Sequence, residues 1–225
     1  IQRGNFFQLF RTRRTLTKYL GCILIGLPIW YVAGILITFS PEFAKAISVT
    51  GTILAGDAVM FSYLGLVVGD FASGLISQKI RSRKKVVSTF IILTLLMIVF
   101  FLYMPVKTAD FFYMVCFLLG IAIGYWAVFV TIAAEQFGTN LRSTVATTVP
   151  NFIRGTVVPL TFLFQILRNA ISARYTGILG AEEAQSMGII YGALIVGVFT
   201  VIVALIALRV IDETYGRELN FEEVE

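Results

Sequence analysis

The stretch Met187–Leu208 reads MGIIYGALIVGVFTVIVALIAL, twenty-two consecutive residues without a charge. At about 1.5 Å of rise per residue such a run covers about 33 Å as a helix, enough to cross the ~30 Å hydrocarbon core of a bilayer. Only a helix or a closed barrel satisfies its own backbone hydrogen bonds there, and this run lacks the alternating polarity of a barrel strand. Five further stretches read the same way: Tyr19–Phe39, Thr52–Ser77, Val86–Pro105, Phe111–Ala134 and Thr144–Leu167. The predicted fold class is therefore an all-α membrane protein with six transmembrane helices over residues 19–208, preceded by a basic linker over 1–18 and followed by a tail over 209–225. The connections are short, leaving no room for a soluble domain; the longest is expected over Arg168–Ser186.

Composition agrees, with 58% hydrophobic and 14% charged residues in 225, outside the soluble range. The chain has no His, which removes the commonest general base and metal ligand. No metal and no cofactor are expected. Catalysis is not expected either, since a Ser–Lys or carboxylate pair would have to serve and no Lys falls at mid-depth. Cys22 and Cys116 lie inside apolar runs and read as buried free thiols. A net charge of +5 would point to nucleic acid in a soluble chain, but in a membrane protein the excess Lys and Arg belong to cytoplasmic loops.

Six spans bring both ends to one side, and the basic residues say which. Thirteen Lys and Arg lie on the side of the termini, among them Arg3, Arg11, Arg13, Arg14 and Lys18 before span one and Lys79, Arg81, Arg83, Lys84 and Lys85 after span two. Lys45, Lys107, Arg168 and Arg174 lie on the other. The positive-inside bias predicts a multi-pass protein of the cell membrane with both termini cytoplasmic. The chain starts with Ile, and no signal-peptide pattern precedes span one, so it is expected to continue a longer one. Asn5–Lys18 mixes Phe6, Phe7, Leu9 and Phe10 with basic residues; it reads either as an interfacial segment drawn to anionic lipid or as a plain basic linker.

Ionisable groups inside a span are costly and mark functional sites. Arg154 lies about eleven residues into span five, or about 16 Å deep, near the midplane. Thr147, Asn151, Arg154, Thr161 and Gln165 repeat at spacings of 4, 3, 7 and 4, which keeps them on one helix face. Such a stripe should face water or protein, or else Arg154 merely ties span five to a neighbour. Pro150 and Pro159 bracket it, and each removes a backbone donor, so the helix should bend or open there. Asp57 in span two is shallower; it either pairs with Arg154, binds a coupling proton or makes a polar contact at the outer rim. Trp30, Tyr31, Tyr125 and Trp126 fall near mid-depth, whereas membrane aromatics favour the interfaces; they are candidates for a cavity wall, with ordinary helix packing as the alternative. Gly26, Pro28, Gly34, Gly120 and Gly124 permit bending and close approach. Spans three and six carry almost no polarity and are expected to sit outside the polar pathway.

Three stretches carry a resemblance. Gly74-Leu75-Ile76-Ser77-Gln78-Lys79-Ile80-Arg81-Ser82-Arg83-Lys84-Lys85, after Gly69-Asp70, resembles the cytoplasmic loop Gly-x-Leu-x-Asp-Arg-x-Gly-Arg-Arg of the major facilitator superfamily, with Gln78 at the Asp position and Arg81 at the second Gly. Glu135-Gln136-Phe137-Gly138-Thr139-Asn140-Leu141-Arg142 is similar to that family's Glu-x-x-Pro-Thr-x-x-Arg, with Gly138 in place of Pro. Glu213-Thr214-Tyr215-Gly216-Arg217-Glu218-Leu219 looks like its Glu-Thr-x-Gly-x-x-Leu ending. The resemblance implies the C-terminal six-helix half of a twelve-helix secondary transporter, a 3+3 inverted repeat whose N-terminal half lies upstream.

Function is then expected to be secondary active transport of a small polar or anionic organic solute by alternating access. Arg154, Asn151, Thr147, Trp30, Tyr31, Tyr125 and Trp126 are the candidate substrate contacts, and Asp57 is the candidate coupling group in a proton symport. Asp70, Glu135 and Arg142 are the candidate cytoplasmic gate, latching one state through carboxylate–guanidinium bridges. The expected partners are a small-molecule substrate, the N-terminal six-helix half, the lipid bilayer and a coupling proton, with no nucleic acid. An oligomeric six-span channel and a non-transporting sensor on the same fold are the alternatives.

Overall fold

A computed structural model describes residues 6–218 and 220, so Arg3 and Leu219, used above in the charge count and the C-terminal motif, lie outside the described residues. Among the described residues there is no strand, only an isolated bridge between Thr50 and Thr108. Among the described residues six helices are long and apolar enough to cross a membrane: Arg13–Ile37, Ala55–Ile80, Arg83–Leu102, Ala109–Glu135, Arg142–Leu179 and Ala181–Val210. Each overlaps one expected stretch, and they are spans one to six below. Span one starts earlier than its apolar run because Thr12 caps it, accepting the Thr15 N–H at 3.2 Å. Ahead of it, Phe6–Phe10 form a single 3₁₀ turn that buries Leu9 and stacks Phe6 on Phe152 of span five.

Both described ends meet on one face of the bundle, the terminal face, where Lys18 Nζ lies 3.1 Å from Asp212. The opposite face is tied by Arg168 to Glu42, 3.0 Å apart. The connection expected over Arg168–Ser186 is a correction: it is helical on both sides of Gly180, whose φ of +86° makes the turn. Its charged and Ala-rich composition reads as a break only if helices stop at the hydrocarbon edge. Span five, at 38 residues, instead runs about 57 Å, far beyond the bilayer core.

Spans two and four cross almost backbone to backbone. A Cβ on Gly65 would lie 2.0 Å from the Phe117 carbonyl oxygen, and one on Gly120 would lie 2.0 Å from that of Ser62. Gly69 and Gly124 continue the contact one turn on. Small residues let helices approach this closely, and dispersion then holds them where burial in lipid adds little. Gly120 and Gly124 carried that expectation; their partners on span two did not.

Burial grades the helices. Of the most apolar window of each, spans one and four are 72% and 61% buried, three and six 44% each, and two and five only 22% and 11%. Spans one and four are thus the centre, spans three and six pack by one face, and spans two and five present broad open faces. Met60, Leu64, Val68 and Phe71 are exposed on the first of these, Phe152, Val158 and Phe162 on the second.

Candidate functional site

Three of the spans are interrupted at mid-depth. Span one changes course at Gly26, where a side chain would strike Ile153 of span five, and has a π turn over Val32–Ile37. Span four breaks between Ala122 and Trp126. Span five is interrupted at Thr156, between Pro150 and Pro159. Pro159 has no N–H to return to the Gly155 carbonyl, and at the break the Thr156 N–H and hydroxyl both turn back to the Ile153 carbonyl, at 3.1 and 2.6 Å. Interrupted helices leave backbone groups and side chains turned into the bundle, the usual setting of a binding site in a membrane.

A cavity of about 140 Å³ lies among these breaks, lined by Trp30 of span one, Ser62 and Tyr63 of span two, Trp126 of span four and Arg154 of span five. Cavities of about this size accept one benzene ring. The guanidinium carbon of Arg154 sits 5.1 Å from the Trp30 ring centroid, a cation–π contact. Trp30 and Trp126 meet edge to face, their ring centroids 5.9 Å apart. Among the described residues no carboxylate pairs with Arg154, and the buried Nε1 of Trp30 has no hydrogen-bond partner. The cavity therefore holds a guanidinium with no carboxylate partner from those residues, beside an indole whose N–H is buried and unpartnered.

The other expected contacts separate. Thr147 and Asn151 stand on the same exposed face as Arg154 but outside the cavity lining, their side chains donating to the Ser143 and Thr147 carbonyls at 2.9 Å each. Tyr31 and Tyr125 are fully buried away from the cavity: Tyr31 donates to the Ala193 carbonyl of span six at 2.6 Å, and Tyr125 to the Ile25 carbonyl of span one at 3.1 Å. They are ties between helices: Tyr31 points about 100° away from Trp30 on the same helix, and Tyr125 lies in the break just ahead of Trp126. Asp57 sits in the first turn of span two, which starts at Ala55; that place suits an acid beside a helix N-terminus. Ser62 and Tyr63 carried no signal in the sequence, since a Ser and a Tyr in an apolar run are ordinary, and the glycine crossing alone brings them to Trp126.

The expected gate is arranged differently. Glu135 pairs with Arg83, at the start of span three. Asp70 meets neither Glu135 nor Arg142; its Oδ1 accepts the Ala127 N–H at 3.1 Å, in the first helical turn after the break of span four. Arg142 opens span five, its N–H bonded to the Gly138 carbonyl at 2.9 Å. Two residues of the tail complete this face. Glu213 accepts from the Ser82 hydroxyl and from the N–H groups of Arg83 and Lys84, and so caps span three. Burial alone would raise its pKa, but these bonds, with that from the Tyr215 N–H, hold it below the ordinary value. Asp212 is likewise lowered, chiefly by its bond to Lys18. Gln136 clasps the Asp212 backbone from both sides, donating to its carbonyl at 2.6 Å and accepting its N–H at 3.1 Å.

With this geometry in hand the fold defines a multi-pass helical membrane protein. No family model, no curated protein and no solved structure matches the chain.

Proposed function

We propose that the chain is the C-terminal six-helix half of a secondary transporter of the major facilitator type, carrying a small organic anion by alternating access. The reading places both termini in the cytoplasm and a second six-helix bundle against the open faces of spans two and five. The observation that supports it is the Arg154 guanidinium, which lines an aromatic cavity and has no carboxylate partner among the described residues. A carboxylate answers that charge with a bidentate bond from Arg154, while a single ring or short apolar body lies against Trp30, Trp126 and Tyr63. Neutral sugars offer no charge to balance the cation in a medium of low dielectric.

Uptake of labelled benzoate and short-chain carboxylates into proteoliposomes holding the full-length protein tests this. Saturable uptake at carrier rates, lost in Arg154→Ala, is the expected result. Ohmic conductance in planar bilayers would identify a channel instead, and uptake unchanged in Arg154→Ala would remove the site.

A further inference from the structure

Asp70 is a carboxylate inside a membrane span with no basic partner among the described residues. It is fifteen residues from the start of its helix at Ala55 and ten from the end at Ile80, close to mid-depth. Its bond to the Ala127 N–H completes the first turn of Trp126–Glu135, where the break in span four leaves backbone donors unmatched. The same carboxyl lines a second cavity of about 450 Å³, with Gln78, Arg83 and Thr131, between spans two and four on the side of the terminal face. The carboxyl thus caps a helix on one side and faces a roomy, partly polar cleft on the other.

The two cavities share a wall. Trp126 lines the Arg154 cavity, and the next residue, Ala127, lines the Asp70 cavity and holds the bond. We infer that Asp70 is a proton-binding site whose protonation loosens the first turn of Trp126–Glu135 and so moves Trp126 at the substrate cavity. The carboxylate takes one proton from the cleft and becomes a neutral acid, and no covalent bond in the protein changes. A carboxylate is a strong acceptor at a helix N-terminus, and the neutral acid is a much weaker one.

Other charges do not supplant it. Span three brings Arg83, Lys84 and Lys85 to its start, but only Arg83 lines the cleft, and it is held by Glu135. Span four has Asp110 and Glu135 at its two ends, and Glu42 and Lys45 lie on the short helix at the opposite face. Asp57, thirteen residues away on the same helix, sits at its far end. Coupling of the proton to a solute rests on the transport reading above, whereas proton binding at Asp70 does not.

The test is a titration of tryptophan emission from pH 4 to 9, in the full-length protein in nanodiscs without added solute. The signal is the part of the change that Trp126→Phe removes. A single transition is expected, lost in Asp70→Asn, shifted in midpoint in Asp70→Glu and unaltered in Asp57→Asn. Circular dichroism and melting identify any variant that fails to fold, and Asp70→Glu then carries the test by itself. A transition that survives Asp70→Asn, a midpoint unmoved by Asp70→Glu, or no transition in the parent protein would overturn the assignment. If the transition maps to Asp70 while Arg154→Ala leaves uptake intact, the proton site stands and the substrate site falls.

Discussion

Arg154 of span five rests on the indole of Trp30 of span one, 5.1 Å from guanidinium carbon to ring centroid. The contact lays the charge on an aromatic face, and among the described residues no carboxylate pairs with it. Trp30→Phe keeps a face for the cation but a weaker one, so the guanidinium is held less firmly and carboxylate affinity should fall about threefold. Arg154→Lys retains the charge and loses the planar fork, with a fall of about a hundredfold expected. Isothermal titration with benzoate measures both, and equal affinity in the parent and both variants would rule out this cavity.

Tyr31 and Tyr125 should behave oppositely to their Trp neighbours. Each hydroxyl donates to a backbone carbonyl of another span, so Tyr31→Phe and Tyr125→Phe each cost about 1 kcal/mol of stability. Affinity for the solute should be unchanged. Thermal unfolding and the same titration separate the two effects.

The glycine crossing permits a sharp contrast. Gly120→Val places side-chain atoms where the Ser62 carbonyl now lies, and the helices must part; a loss of at least about 3 kcal/mol is expected, seen as a fall in melting temperature or failure to purify. At Gly56 and Gly74, also helical, a Cβ meets nothing within 4 Å. Ala there should be neutral or stabilising by up to about 1 kcal/mol.

Glu213 predicts an acid-labile contact on the terminal face. Its folded pKa lies below the ordinary 4.5, so its contribution is fully present above that value and is lost as pH falls through the lowered folded one. Glu213→Gln should lower the melting temperature at pH 7, by loss of a cap worth about 1 kcal/mol. The gap between parent and variant should close as pH falls below 4.5. A gap constant from pH 7 to pH 3 would contradict this account.

Much of the architecture was legible in the chain alone. Crossing a bilayer demands about twenty apolar residues and forbids unpaired backbone, so the six spans, and the return of both described ends to one face, follow from composition and count. Arg154 stood out for the same reason, since a charge at mid-depth is expensive wherever it points, and two prolines announced the break beside it. Other relationships were decided only by tertiary structure. Trp30 and Tyr31 are neighbours with equal claims in sequence, and helix rotation sent one to the cavity and the other to Ala193. Asp70 read as part of a gate among basic loops, yet the crossing at Gly65 and Gly120 set span two against the break in span four and gave its carboxylate the Ala127 N–H. The division has a physical cause: solvation costs are charged residue by residue along the chain, whereas register and crossing angle depend on how two packed surfaces fit.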